Sequence, residues 1–120
     1  MSAGTFDLRF LDSDFEGGDA TINADAQFLE LRNTGADTVT VINSSDLSLT
    51  HYEATTGSSI IQTASGFDLT VANAINLEGN TAALTLNAGN DLFVNGDITD
   101  ATAAVDNSTQ LSLLADGSIW

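Results

Sequence analysis

The chain has 120 residues, 17 of them acidic, with only Arg9 and Arg32 as bases, one His, no Pro and no Cys, for a formal net charge of −15 at pH 7. That potential repels phosphate and anionic lipid, which argues against nucleic-acid binding and against insertion at an acidic membrane surface. Without cysteine there is no disulfide frame and no thiolate nucleophile or ligand, and the redox compartment stays open.

The length suits one domain, residues 1–120, able to bury roughly two-thirds of the surface of its unfolded chain. No apolar run approaches the ~20 residues that span a bilayer, and Met1-Ser2-Ala3-Gly4 does not open a basic and then apolar leader, so an export signal is expected outside this sequence.

Period-two alternation dominates from one end to the other. Phe6, Leu8 and Phe10 alternate with Asp7 and Arg9; Val39 and Val41 flank Thr40; Leu47 and Leu49 flank Ser48; Leu69 and Val71 flank Thr70. Leu84 and Leu86 around Thr85, Leu92 and Val94 around Phe93, and Leu111 and Leu113 around Ser112 continue the series. Successive side chains of a strand point to opposite faces, so each segment buries one row and presents the other. Turn formers separate these strands: Gly17-Gly18, Asn33-Thr34-Gly35, Asn43-Ser44-Ser45, Gly57-Ser58-Ser59, Glu78-Gly79-Asn80, Gly89-Asn90-Asp91, Asn95-Gly96-Asp97 and Asp116-Gly117. Ala101–Ala104 is the one weak helical candidate.

The strands echo one another. Asp46-Leu47-Ser48-Leu49, Asp68-Leu69-Thr70-Val71, Ala83-Leu84-Thr85-Leu86 and Gln110-Leu111-Ser112-Leu113 share one form. Ile75-x-Leu77-x-Gly79 resembles Leu92-x-Val94-x-Gly96, and Leu84 to Gly89 resembles Leu111 to Gly117. Short strands repeating between corners, with small aliphatic residues and no Pro, predict an all-β fold: a right-handed parallel β-helix, or β-solenoid, with a β-sandwich or jelly roll as the alternative.

Residues 65–119, above all Phe67 to Asn80 and Leu84 to Ile98, resemble shaft coils of filamentous-haemagglutinin-type bacterial adhesins, often exported by two-partner secretion. The resemblance implies a right-handed parallel β-helix and an extracellular or cell-surface location. The Asn-Pro motifs of that family's secretion domain are absent from a chain without Pro, so the likeness is to the shaft.

Gly89-Asn90-Asp91-Leu92-Phe93-Val94-Asn95-Gly96-Asp97 is similar to the calcium-binding nonapeptide of RTX proteins, whose carboxylates and turn carbonyls are hard oxygen ligands. It marks Asp91, Asn95 and Asp97 as candidate calcium ligands, although a single copy lacks the neighbouring turn that shares the ion. Asp12, Asp14, Glu16 and Asp19 gather around Gly17-Gly18 without EF-hand spacing. His51, near Glu53, Ser58 and Ser59, is the only imidazole, and no Gly-x-Ser-x-Gly elbow accompanies it. Thr38-Val39-Thr40 is the one Thr-x-Thr, too little for an ice-ordering ladder, and Asn43-Ser44-Ser45 and Asn107-Ser108-Thr109 fit a glycosylation pattern that common Asn and Ser produce by chance.

These features predict a non-catalytic structural or adhesive unit of a bacterial extracellular fibre, with no catalytic residues and no cofactor other than calcium at that turn. The competing class is a calcium-dependent or carbohydrate-binding module. The expected partners are a second copy stacked end to end, or further coils of a longer array, and a surface receptor or glycan.

Overall fold

The computed structural model of the chain describes residues 7–13, 20–33, 38–54, 58–77, 83–100 and 110–120. Among them run twelve strands: β1 (Asp7–Ser13), β2 (Ala20–Ala24), β3 (Phe28–Asn33), β4 (Thr38–Asn43), β5 (Leu47–Ala54), β6 (Ser58–Thr63), β7 (Leu69–Val71), β8 (Ile75–Leu77), β9 (Ala83–Ala88), β10 (Leu92–Val94), β11 (Ile98–Asp100) and β12 (Gln110–Ala115). No helix occurs among the described residues, and Ala101–Ala104 lies outside them.

The protein is all-β and its sheets are parallel. Sheet I has the order β1-β3-β5-β7-β10, sheet II the order β12-β9-β6-β4-β2, and β8 pairs with β11 in a two-stranded sheet. The chain therefore passes from one sheet to the other and back, laying each strand beside the one from the previous pass. All ladders between these strands are parallel.

Alternation sets which residues face inward. In β4, β6 and β9 half-buried and buried positions alternate without exception. The parallel registers turn those inward residues into columns. Val41 pairs with Ile61, Ile61 with Leu86 and Leu86 with Leu113 in sheet II. Leu47 pairs with Leu69, and Leu69 with Leu92, in sheet I. The core is the sum of such columns, Leu29, Leu31, Val39, Leu49, Leu84 and their neighbours being almost completely buried. Each such side chain contributes about 1.5–3 kcal/mol relative to exposure.

One irregularity reverses the phase. Leu29 pairs with Leu49 but Glu30 pairs with His51, so Thr50 is an extra residue in β5. Its hydroxyl donates to the Leu29 carbonyl at 3.2 Å. A bulge of this kind shifts the alternation by one position. Tyr52, not His51, consequently enters the core beside Leu31, and Tyr52 is buried while His51 is only half so.

Several segments that read as turns are strand. Ser58 and Ser59 open β6, and Ser59 is buried. Thr50 to Ala54 continue β5, which places His51 within a strand. β3 and the shorter β2, β8 and β11 add to the strands visible as clear alternation. At the far end of sheet I, Ile119 bridges to Leu92 and the Trp120 ring stacks on Phe93, with centroids 6.4 Å apart and planes 9° from parallel.

Charge divides between the sheets. Not one residue of β2, β4, β6, β9 or β12 is charged, whereas β1, β3 and β5 of sheet I carry Asp7, Arg9, Asp12, Glu30, Arg32 and Glu53. Aromatic residues divide the same way, with none in the five strands of sheet II.

Candidate functional site

Among the described residues, polar side chains recur in register at the corners that lead into sheet I. Asp46, Asp68 and Asp91 each precede an inward Leu, namely Leu47, Leu69 and Leu92, which share one column. The backbone N–H of Asp68 donates to Asp46 Oδ1 at 2.8 Å, that of Asp91 to Asp68 Oδ1 at 3.1 Å, and that of Ser118 to Asp91 Oδ1 at 2.8 Å. Asn90 Nδ2 adds a bond to Asp68 Oδ1 at 2.8 Å. Each carboxylate thus holds the matching corner of the next pass. These bonds are charge-assisted, which makes them stronger than neutral ones. Gly117 leaves the room, because a Cβ there would collide with Asp91 Oδ1.

Parallel corner bonds run beside this column. Leu47, Leu69 and Leu92 N–H groups donate to the carbonyls of Asp68, Asp91 and Ser118 at 3.0, 3.0 and 2.8 Å. At the corner after β4, Asn43 is wholly buried. Its Oδ1 accepts the Ala26 N–H at 2.8 Å, and its Nδ2 donates to the carbonyls of Ala26 and Ser45 at 2.9 and 2.8 Å. In the next pass the paired residue is Thr63, whose hydroxyl donates to the Phe67 carbonyl and accepts the Gly89 N–H. An Asn ladder of stacked corner residues does not form at this position; Asn43 is followed by Thr63.

The calcium candidates are separated by a strand. Asp91 precedes β10, and Asn95 and Asp97 follow it, so Asp91 and Asn95 are about 13 Å apart along an extended backbone. Asp91 is engaged with Ser118, as above. Asn95 enters through its backbone, donating to the Val71 carbonyl at 2.9 Å, and the Asp97 carbonyl accepts the Ile75 N–H at 2.7 Å. Among the described residues no three His, Asp or Glu side chains converge to hold a metal ion. Of the acidic group around Gly17-Gly18, Asp14, Glu16 and Asp19 lie outside the described residues, as does Asn107-Ser108-Thr109.

His51 is in register with Glu30, and Glu30 with Arg9. Its neighbour Tyr52 points to the opposite face, toward the interior and Ser59. The imidazole and the serine hydroxyl are therefore on different sides of β5, and a His–Ser pair does not assemble. Burial pushes the Tyr52 hydroxyl up from 10.0 to about 12, against a smaller opposing pull from Ser59. The two hydroxyls approach each other in the interior, and neither makes a well-formed hydrogen bond.

No family model, curated protein or solved structure matches the chain.

Proposed function

We propose that the chain is a right-handed parallel β-solenoid with a non-catalytic role, a stiff structural or adhesive unit of a bacterial extracellular fibre or cell-surface adhesin. The observation that carries this reading is the strand order: two five-stranded parallel sheets filled alternately by one chain, each strand beside its predecessor two or three strands earlier. Parallel crossovers are almost always right-handed, which gives the hand of the winding. Sandwiches and jelly rolls rest on antiparallel pairing, unlike these ladders. The resemblance of residues 65–119 to filamentous-haemagglutinin-type shafts favours the same reading and supplies the extracellular setting.

In this role the polar side chains at the corners act on the backbone. The aspartate column and Asn43 fix one pass to the next, and stiffness follows from ladders that run through every pass. A winding with this register is tested by replacing Ser48 and Thr70, partners across β5 and β7, with Cys. Paired strands lie within disulfide reach, so S48C/T70C should close an intramolecular bridge on mild oxidation. Failure to close while both thiols remain accessible would overturn the winding. Titration of the intact chain with calcium tests the role: an inert unit gives no binding heat and no melting shift, and a saturable heat would transfer the chain to the calcium-dependent class.

A further inference from the structure

We propose that the outer face of sheet II is an interaction surface on which a second copy of this chain docks, sheet against sheet. The inference deepens the structural reading above by naming a partner and a face. Its central column runs through Thr40, Ile60 and Thr85, which pair in register across β4, β6 and β9, with Ile42, Gln62 and Asn87 in the column beside it. All six are half-buried, on the side of the sheet opposite the core.

Charge selects the occupant. The chain carries −15, yet sheet II contains no charged residue in any of its five strands. Depletion of charge is the compositional mark of an interface centre, and like charges forced together are costly. Two copies meeting through sheet I would have to strip water from strands that carry four acids and both bases of the chain; through sheet II they bury hydroxyls, amides and isoleucine. A glycan is the poorer fit, because sugar sites draw on aromatic side chains and this sheet has none. The same patch meeting itself makes a two-fold contact that closes at a dimer.

Area sets the strength. Five strands at ~4.8 Å spacing and six residues at ~3.3 Å rise give a flat face of about 450 Å² per copy. Twice that lies just under the ~1,000 Å² expected of a specific interface, so the dimer is weak and sensitive to the repulsion of the remaining charges. Screening by salt removes that repulsion.

Sedimentation equilibrium of the chain across micromolar to millimolar concentration, at low and high salt, tests the proposal. The expected result is a monomer–dimer equilibrium that tightens about tenfold in high salt. Thr85→Lys lowers the net negative charge, so a general charge effect would strengthen association, whereas a docked face places the lysine at its centre and dimerisation is lost. Thr70→Lys, on the outer side of sheet I, is the matched control and leaves the dimer intact. Circular dichroism checks that both variants fold. A monomer at every concentration and salt overturns the proposal, as does a Thr85→Lys variant that dimerises like the parent. Retention on an insoluble neutral polysaccharide without dimerisation would assign the face to that partner instead. The S48C/T70C bridge reads the winding independently, so failure here leaves that result untouched.

Discussion

Asn43 and Ala26, seventeen residues apart, are joined by two hydrogen bonds of opposite sense: the Asn43 carbonyl oxygen accepts the Ala26 N–H and its amide donates to the Ala26 C=O. The side chain takes the place that another strand's backbone would occupy, and does so with no solvent contact. Replacing Asn43 by Ala leaves the N–H and C=O of Ala26 and the Ser45 carbonyl buried or half-buried without that partner. The expected cost is about 2–4 kcal/mol, measured by urea denaturation. Asn43→Asp should be at least as damaging, because a carboxylate has no hydrogen to offer the two carbonyls.

The aspartate column gives a graded series. Asp68 accepts the Asp91 N–H and the Asn90 amide while donating its own N–H to Asp46. Asp68→Ala strips the acceptor and is expected to cost about 1–3 kcal/mol. Asp68→Asn keeps a carbonyl oxygen for the Asp91 N–H and loses the charge assistance, so a smaller loss is expected, again read from the denaturation midpoint. Equal losses for the two substitutions would show that the charge, not the acceptor geometry, matters.

Two glycines should respond differently to alanine. Gly66 has φ of +90° and open space around its missing side chain, so Gly66→Ala carries a conformational penalty alone, about 1 kcal/mol. Gly89 has a corner of the previous pass against it, and a Cβ there would run into the Ala64 carbonyl. Gly89→Ala must push two passes apart, and the expected loss exceeds that of Gly66→Ala by about 1–3 kcal/mol. Thermal melting of the two variants side by side decides the order.

Tyr52 is the only tyrosine of the chain, so its ionisation is observable by absorbance without interference. Its hydroxyl is raised from 10.0 to about 12 by burial. Below pH 10 folded and unfolded chains both keep the proton. Between about 10 and 12 the unfolded chain releases it and the folded one does not, so the unfolded state binds fewer protons and stability falls as pH rises. A shift of that size corresponds to about 2–3 kcal/mol lost across the window. Tyr52→Phe should remove this alkaline loss and, having discarded a buried hydroxyl that makes no well-formed hydrogen bond, should change stability little at pH 7.

Alternation in the sequence marks inward and outward rows, and Val39, Val41, Leu69, Val71, Leu84 and Leu86 all lie inward as their spacing predicts. Leu84 to Ala88 pairs with Leu111 to Ala115 residue for residue, so that echo is a true register. Alternation does not say which strand is the neighbour. Leu47 and Leu69 resemble Leu84 and Leu111, yet the first two belong to sheet I and the others to sheet II. The echo of Ile75 with Leu92 is out of phase: Ile75 pairs with Ile98, and Leu92 with Leu69. Aliphatic alternation is degenerate, and register depends on corner lengths that no local pattern encodes. Tyr52 and His51 exchange faces for a similar reason, since one extra residue in β5 leaves no mark in composition.

The aspartate column was written in the sequence as Asp-Leu before three strands, but its meaning depends on corners brought together from 22, 23 and 27 residues apart. Asn43 illustrates the converse: a residue typed as a turn former is, among the described residues, the most enclosed polar side chain, so Asn43-Ser44-Ser45 is closed to glycosylation in the folded chain.

Those unequal separations also govern how such a chain can change over generations. Asp46, Asp68 and Asp91 enter sheet I in one phase, while the segments that return to them differ in length. Excising residues 68–90 would seat Asp91 directly against Asp46 and preserve the phase, whereas deleting one residue within β7 would turn an inward column outward. Recombination in whole passes is therefore tolerated where single-residue slips inside strands are not, and lineages carrying this sequence should differ by complete Asp-Leu modules and by the lengths of the connections between them.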